Sequence, residues 1–291
     1  MPEFKVPEEL DGISVRSFLR RRCDVSARLL AKLKRVENGI TANGRHVKSI
    51  DILHSGDVVS IMLPADERLI TPVELPVDVV YEDEAVIVFN KPQDMPVHPV
   101  HEHRLDTLAN AAAFYSRQHG EAYAFRAVNR LDKDTSGLVL AAKSGYAHTF
   151  LIEHTRKVYM ALCEGEITGS GTIDAPLRIK PGHTIQREAG MGGARAVTHY
   201  HAEKYMLGHT LLSITLETGR THQIRTHFSY IGHPLAGDDM YGGSLRYFSR
   251  QCLHCAELEF IHPITHEKLT LRREPEDWFL VLSEKTKSGS H

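Results

Sequence analysis

The sequence Asn129-Arg130-Leu131-Asp132-Lys133-Asp134-Thr135-Ser136-Gly137-Leu138 joins two apolar runs, residues 125–128 before it and residues 138–142 at its end. A charged, hydroxyl-rich turn between strand-like runs is unusual for a core and typical of a functional loop held by rigid elements. Asp132 can act as a nucleophile or a base, and the residues after it can bend the backbone around its carboxylate. The stretch therefore predicts a catalytic loop that enters a strand.

A second stretch, residues 218–227, reads Thr-Gly-Arg-Thr-His-Gln-Ile-Arg-Thr-His and is followed by Gly-His-Pro-Leu-Ala-Gly-Asp at residues 232–238. If residues 221–231 are helical, Ile224, Phe228 and Ile231 face the core and Arg225 lies at the edge of that face. A partly buried guanidinium needs a carboxylate partner. Two partners remain open: a surface acid in a structural ion pair, or Asp132, whose ionised form Arg225 would favour.

Together these stretches resemble the R-L-D-x-x-T-S-G and G-R-x-H-Q-I-R-x-H motifs of pseudouridine synthases of the RluA family, in the family's order. Residues 156–161, Arg-Lys-Val-Tyr-Met-Ala, resemble its K-x-Y-x-A segment, and residues 86–92 with 96–99 resemble its first motif. The resemblance implies that Asp132 is the catalytic residue and that Arg225 contacts it. It also implies that Tyr159 packs on the target base and is a candidate for the proton-transfer step.

The implied reaction is isomerisation of uridine in RNA, in which the glycosidic bond breaks and carbon five of the uracil bonds to the ribose. The carboxylate either attacks carbon one of the ribose or takes the proton from carbon two, and the sequence does not choose between them. No metal, nucleotide or redox cofactor is implied. The target base must be flipped out of its helix, and the resemblance implies that Arg130 fills or props the gap. A phosphate contact or plain surface charge is the alternative for Arg130.

The chain departs from the family pattern at two positions. Asp94 stands where the family commonly has Gly, which leaves the shape of that loop open. Asn129 stands where the family often has His, and we expect this change to be tolerated because the residue precedes the chemistry.

The first 65 residues carry a concentrated positive charge. Residues 16–48 contain ten Lys or Arg and two acids, a net charge of +8, although the whole chain carries −2. We predict helices over residues 15–23, capped by Ser14, and 27–38, capped by Ser26 and closed by Gly39. An Asn43-Gly44 hairpin and a strand over residues 57–63 follow. Arg28, Lys32 and Arg35 form a basic stripe that predicts phosphate binding, with a merely solvated helix face as the alternative.

This order of elements resembles the S-four type RNA-binding domain, which we assign to residues 1–65. Residues 66–76 have the composition of a linker, residues 77–284 predict a mostly antiparallel α+β catalytic domain, and residues 285–291 predict a disordered tail. Within the catalytic domain we expect helices over 107–118, capped by Asp106, over 146–156 and over 221–231. Strands are expected over 77–82, 85–90, 158–163, 196–206, 211–217, 253–260 and 269–272.

Bulk composition sets the expected cellular context. The chain has 291 residues, of which 42% are hydrophobic and 25% charged, as in ordinary globular proteins. We expect neither a secretory signal nor a membrane span. Its four cysteines do not predict a disulfide scaffold. A cytoplasmic monomer is the expectation.

Several other functions compete with the synthase hypothesis. Cys252 and Cys255 have the C-x-x-C spacing of a zinc site, but residues three apart on a strand point to opposite faces. His98, His101 and His103 form a histidine-rich loop without a second metal-binding motif. Asp132 and Asp134 could be the acid pair of an RNA N-glycosidase, which would release free base. A non-catalytic RNA-binding protein would need only the N-terminal domain. The resemblance implies large-subunit ribosomal RNA as substrate, because this domain pairing is more typical of family members that act on it, with transfer RNA as the alternative.

Overall fold

The structure is a computed structural model that describes residues 3–23, 25, 27–62, 70–100, 102–121, 123–275 and 278–288. An N-terminal module is built around a four-stranded sheet, and a larger unit is built around a ten-stranded, mostly antiparallel sheet. This confirms the predicted α+β class. Within the described residues, no helix combines the length and the apolar character needed to cross a membrane.

The N-terminal module contains six strands and two helices: β1 Glu3–Lys5, β2 Ile13–Ser14, α1 Val15–Arg21, α2 Ala27–Leu33, β3 Ile40–Ala42, β4 Arg45–His46, β5 Ile52–Leu53 and β6 Val58–Ile61. Strand order in its main sheet is β1-β6-β3-β4. Ser14 caps α1 as predicted, because its side chain accepts a hydrogen bond from the Ser17 amide. Asn43 and Gly44 have φ values of 50° and 75°, which fit the left-handed turn of the predicted hairpin.

The second helix is shorter than predicted. It ends at Leu33 and not at residue 38, and the predicted cap Ser26 lies outside the described residues. After short turns the chain reaches Asn38, whose φ of 54° is left-handed, and Gly39 is so tightly packed that a Cβ there would lie 2.1 Å from the Leu33 carbonyl oxygen. Gly39 therefore closes a reversal into β3 and does not form the C′ position of α2.

The larger unit contains these strands and α-helices: β7 Asp78–Glu82, β8 Val86–Lys91, α3 Leu108–Gln118, β9 Arg126–Ala127, β10 Ser136–Ala142, α4 Gly145–Glu153, β11 Thr155–Glu164, β12 Ser170–Asp174, β13 Leu177–Ile179, β14 Arg187–Ala189, β15 Val197–Met206, β16 His209–Leu216, α5 Gln223–Tyr230, β17 Leu253–Ile261, β18 Lys268–Arg272 and α6 Trp278–Ser288. Its sheet runs β12-β15-β16-β11-β17-β10-β8-β7, with β18 beside β17 and β9 beside β10. Strands β12, β13 and β14 and helix α6 were not predicted.

The predicted start of α3 and the predicted end of α4 were wrong for local reasons. Helix α3 is capped by Thr107 and not by Asp106, because Thr107 and Asn110 form a reciprocal capping box. Helix α4 stops at Glu153 because β11 begins at Thr155. The predicted disordered tail is also wrong in part, since α6 extends to Ser288; residues 289–291 lie outside the described residues.

One parallel contact places the loop of residues 129–137 in the sheet. Ser136 and Gly137 at the start of β10 pair with His254 and Cys255 of β17, while the other strand pairs of this sheet are antiparallel. Gly137 has a φ of 107°, and a Cβ there would lie 2.4 Å from the Cys255 carbonyl oxygen. Glycine is therefore required for β10 to approach β17 this closely. The loop before Gly137 is thereby held at the end of a buried strand.

The two parts of the molecule are in contact. Tyr146 of α4 is buried among the apolar residues of the N-terminal module, and its ring lies 5.5 Å from that of Phe4. In the predicted linker, residues 66–69 lie outside the described residues, but the Val73 amide bonds to the Asn110 carbonyl at 3.2 Å. Leu75 packs against the main core.

Candidate active site

Asp132 lies in the wall of an open cleft of about 910 Å³. Its side chain is 27% exposed, and its carbonyl oxygen accepts a hydrogen bond from the Thr135 amide, which turns the loop. Arg130 and Tyr159 line the same cleft, so the structure brings together three residues that the sequence singled out.

Arg225 contacts Asp132, as one of the two sequence hypotheses proposed. Its Nη1 lies 3.3 Å from Oδ2 of Asp132. Its stronger partner is Asp238, which it holds through Nε at 2.7 Å and Nη2 at 2.8 Å. Burial alone would lower the pKa of Arg225, but the hydrogen bonds and charge of Asp238, joined by Asp132, raise that pKa above its usual range. Arg225 is therefore charged and shared between two carboxylates.

The structural ion pair considered from the sequence is also present, but its acid is not on the surface. Asp238 is only 1% exposed. A buried carboxylate and guanidinium joined by two parallel hydrogen bonds form a rigid unit. Residues 232–238 were part of the matching stretch, yet no pattern in the sequence assigned Asp238 a role. It lies in the long connection between α5 and β17, residues 231–252, directly before a short 3-10 helix.

His222 is a further residue of the site that the sequence reasoning missed. It precedes α5 in the left-handed region, with a φ of 55°. Its Nε2 lies 3.8 Å from Oδ2 of Asp132, and its Nδ1 lies 2.9 Å from the hydroxyl of Tyr241. Burial lowers the pKa of His222, although the charge of Asp132 opposes this effect. The ring is therefore mostly neutral near pH 7 and lends Asp132 little positive charge.

Tyr159 projects from β11 and is only 7% exposed. Burial raises its pKa well above the ordinary tyrosine value, and the nearby charge of Asp132 adds to that effect. The hydroxyl therefore stays protonated at neutral pH. Its ring forms part of the wall beside Asp132 in the cleft and in a smaller adjoining cavity.

The rim of the cleft is rich in basic side chains. Besides Arg130, these are Lys133, Arg156, Lys157 and Arg220, together with His98, His148 and His199. Burial, and then the charge of Arg130, lowers the pKa of His98. Lys157 also has a pKa lowered by burial. Such a rim suits a polyanionic ligand with a neutral base to be placed near Asp132.

The predicted phosphate-binding residues of the N-terminal module lie apart from this rim. Lys32 and Arg35 are exposed, and neither belongs to the described residues that line the cleft. The side chain of Arg28 lies outside the described residues.

The two departures from the family pattern have visible local consequences. Asn129 donates from Nδ2 to the Leu138 carbonyl at 3.0 Å and accepts from the Leu140 amide at 2.8 Å, so it fastens the catalytic loop to β10. Asp94 adopts a φ of 61°, the left-handed region that glycine favours. The loop shape expected for glycine is therefore present with an aspartate in its place.

The residues considered for metal binding have other surroundings. Cys255 packs in the main core, while Cys252 packs in a separate cluster with Trp278, so the two thiols lie on opposite faces. His103 contacts Asp106 at 2.5 Å, and His101 lies outside the described residues. No group of three or more potential metal ligands occurs within the part of the chain that the structure describes.

Comparison with known proteins agrees with this geometry. Residues 85–230, which contain the catalytic loop, Tyr159 and Arg225, match the family described as RNA pseudouridylate synthase. The chain is 36% identical over 314 residues to ribosomal large subunit pseudouridine synthase D of Pseudomonas aeruginosa, covering 96% of this chain and 94% of that protein. The chain belongs to the RNA pseudouridine synthase family.

Other relatives extend this result. An uncharacterized RNA pseudouridine synthase of Bacillus subtilis, YjbO, is 37% identical over 253 residues, covering 84% of this chain and 89% of that protein. Among solved structures, human RNA pseudouridylate synthase domain containing 1 matches with a TM-score of 0.56 and 25% identity over 69% of this chain and 84% of its own. The predicted RluA-type assignment is confirmed, and the synthase is an isomerase that acts on RNA.

Proposed function

We propose that this synthase isomerises uridines of large-subunit ribosomal RNA and that Asp132 is its catalytic carboxylate. The observation that carries the role of Asp132 is its position in the cleft, where Oδ2 lies 3.3 Å from a guanidinium that buried Asp238 holds in place. The fixed guanidinium therefore holds the Asp132 carboxylate in place at the wall of the cleft. Both attack on carbon one of the ribose and removal of the proton from carbon two need a carboxylate placed at the ribose.

Tyr159 and Arg130 complete the proposed machinery. The ring of Tyr159 offers an apolar face for the flipped uracil, and its protonated hydroxyl can take part in a proton relay during the loss of the proton from carbon five. Arg130 is exposed at the mouth of the cleft, where it can occupy the gap that the flipped base leaves. The basic rim supplies phosphate contacts around it.

The substrate class rests on the relatives and on the N-terminal module. Relatives of Pseudomonas aeruginosa and Vibrio cholerae carry the name ribosomal large subunit pseudouridine synthase D. We assign residues 1–65 as an S-four type RNA-binding domain, with Lys32, Arg35 and Arg28 as its phosphate contacts, and residues 77–284 as the catalytic domain. Cytoplasmic location and a monomeric, metal-free enzyme remain predictions.

The test is tritium release from RNA labelled at carbon five of uridine. Transcribed large-subunit ribosomal RNA and transfer RNA are incubated with wild type or Asp132→Asn, and free uracil is measured in the same samples. We expect release from ribosomal RNA without free uracil, and none with Asp132→Asn. Free uracil would indicate an N-glycosidase. Release by Asp132→Asn would refute the catalytic role, and faster release from transfer RNA would refute the substrate class.

A further inference from the structure

The turn formed by residues 92–95 lies directly against the catalytic loop. Lys91 is fully buried, and its Nζ donates to the carbonyl oxygens of Pro92 at 2.7 Å, Met95 at 2.8 Å and Lys133 at 3.0 Å. The Met95 amide donates to the same Lys133 carbonyl at 3.2 Å. The turn and the loop therefore share one hydrogen-bonded backbone scaffold, next to Asp132.

Asp94, at the tip of this turn, adds a set of charged contacts to the scaffold. Its Oδ1 lies 3.0 Å from Nζ of Lys133, and its Oδ2 lies 2.9 Å from Nη2 of Arg250. The other terminal nitrogen of Arg250, Nη1, pairs with Asp134. One guanidinium thus bridges two carboxylates, one from the turn and one from the catalytic loop.

These contacts hold the two residues that directly follow Asp132. Lys133 is held by Asp94 itself, and Asp134 is held by Asp94 through Arg250. Fixing both neighbours limits how far the loop backbone can carry the Asp132 carboxylate from the ribose, and small displacements of a reacting group have large effects on rate.

The segment that supplies Arg250 also contacts the other half of the active site. A Cβ on Gly237 would lie 2.1 Å from the Arg250 carbonyl oxygen, so the two backbones touch. Gly237 precedes Asp238, which aligns Arg225. Asp94 is therefore connected, through Arg250, to the elements that position both members of the Asp132–Arg225 pair.

We propose that Asp94 is a positioning residue for Asp132, acting through its ion pairs with Lys133 and Arg250. The inference rests on the proposed catalytic role of Asp132. Asp94 stands where the resembled family commonly has Gly, and it keeps the left-handed backbone of that position while adding the carboxylate. A direct phosphate contact does not explain the residue, because its charge has the same sign as that of RNA.

Two variants separate the carboxylate from the backbone shape. Asp94→Gly keeps a residue that favours positive φ, and Asp94→Asn keeps a residue that tolerates it. Single-turnover tritium release with saturating enzyme measures the rate of reaction of bound RNA, so a change in RNA affinity does not affect it. We expect both variants to react about 5- to 20-fold more slowly than wild type. The RNA concentration at half-saturation should stay within about twofold of the wild-type value, and the melting temperature within about 2 °C.

A double-mutant cycle with Arg250→Gln tests the route of the effect. If Asp94 acts in part through Arg250, the rate loss of the double variant is smaller than the product of the two single losses, since neighbouring residues of one network are non-additive. Glu259→Gln breaks an ion pair of the same kind, with Lys268 at 2.8 Å, and is the control expected to react at the wild-type rate.

The proposal is overturned if Asp94→Gly reacts as fast as wild type, or if the rate losses of the two single variants multiply in the double variant. Asp132→Asn, measured in parallel, distinguishes failure of the proposed catalytic role of Asp132 from failure of the proposed positioning role of Asp94. Activity in that variant would remove the proposed catalytic role. An inactive Asp132→Asn beside a fully active Asp94→Gly would remove the positioning role alone.

Discussion

Arg225 holds Asp238 through two hydrogen bonds of 2.7 and 2.8 Å but reaches Asp132 through a single contact of 3.3 Å. Asp238 is fully enclosed, whereas the Asp132 side chain remains 27% exposed. Asp238 therefore fixes the direction of the guanidinium, and Arg225 presents its remaining nitrogen to the cleft. The buried ion pair with Asp238 and the contact with Asp132 therefore use different nitrogens of one side chain.

Asp238→Asn should impair both folding and activity. It leaves the buried guanidinium of Arg225 with only the longer contact to Asp132, and removing one partner of a buried ion pair typically costs about 3–5 kcal/mol of unfolding free energy. Urea denaturation measures this loss, and tritium release measures the accompanying fall in rate. The exposed neighbour Asp239 offers a matched control, because Asp239→Asn should change stability by less than about 0.5 kcal/mol. Equal stability of the two variants would contradict the structural role of Asp238.

Tyr159→Phe should separate the ring from the hydroxyl. The ring still packs in the cleft wall, so RNA affinity is expected to stay within about twofold, while loss of a proton-transfer group slows tritium release by roughly 10²-fold or more. Single-turnover release and a gel-shift assay measure the two quantities. Tyr146→Phe removes the hydroxyl of another buried tyrosine, whose partner is the Pro263 carbonyl, and serves as the control. A fully active Tyr159→Phe would show that the hydroxyl of Tyr159 takes no part in proton transfer and that the residue contributes only the packing of its ring.

Lys91 should make stability depend on pH above neutrality. Burial lowers the pKa of Lys91 to about 7, although the charges of nearby aspartates oppose this effect. Between pH 7 and the unfolded lysine pKa, the unfolded chain keeps a proton that the folded chain has lost. The unfolding free energy of wild type should therefore rise with pH relative to Lys91→Met, by at most about 1.4 kcal/mol per pH unit.

Urea denaturation of wild type and Lys91→Met at pH 6, 7, 8 and 9 checks the Lys91 prediction. Below pH 7 the difference between the two proteins should be nearly constant, because Lys91 is then charged in both states of wild type. A difference that stays flat up to pH 9 would show that Lys91 remains protonated in the fold. In that case the hydrogen bonds from Lys91 to three carbonyl oxygens raise its pKa by more than burial lowers it.

Replacing Arg28, Lys32 and Arg35 with glutamine should weaken RNA binding and flatten its salt dependence. Each lost phosphate contact lowers the slope of log affinity against log salt by about 0.7–0.9. Activity should recover at high RNA concentration, because the cleft is unchanged. The control removes the same charge from exposed residues elsewhere, Arg117, Lys268 and Arg272. An unchanged slope in the first variant would refute the RNA-binding role of that helix face.

The sequence predicted the position of the loop around Asp132, because the signal for that loop is local. A polar turn between two apolar runs must leave the core, so Asp132 could be placed at the end of a buried strand. The Asn43-Gly44 hairpin was predictable for a similar reason, since those residues favour the left-handed backbone that the turn needs. Boundaries that depend on competition between neighbours were missed. Thr107 caps α3 in place of Asp106 because Asn110 completes its capping box.

From the sequence, the order of the elements predicted the mostly antiparallel α+β fold, and the family resemblance predicted the reaction class and a contact between Arg225 and Asp132. Only the tertiary structure decided how that pair is held. Asp238 holds Arg225, Arg250 pairs with Asp94 and Asp134, and His222 lies 3.8 Å from Asp132. These residues come from other segments of the chain, and no local periodicity encodes their approach. Gly137 lets β10 lie against β17, and the connection after α5 brings Asp238 into contact with Arg225. The residue type gives the charge of a side chain, but the tertiary packing of distant segments decides which residue pairs with it.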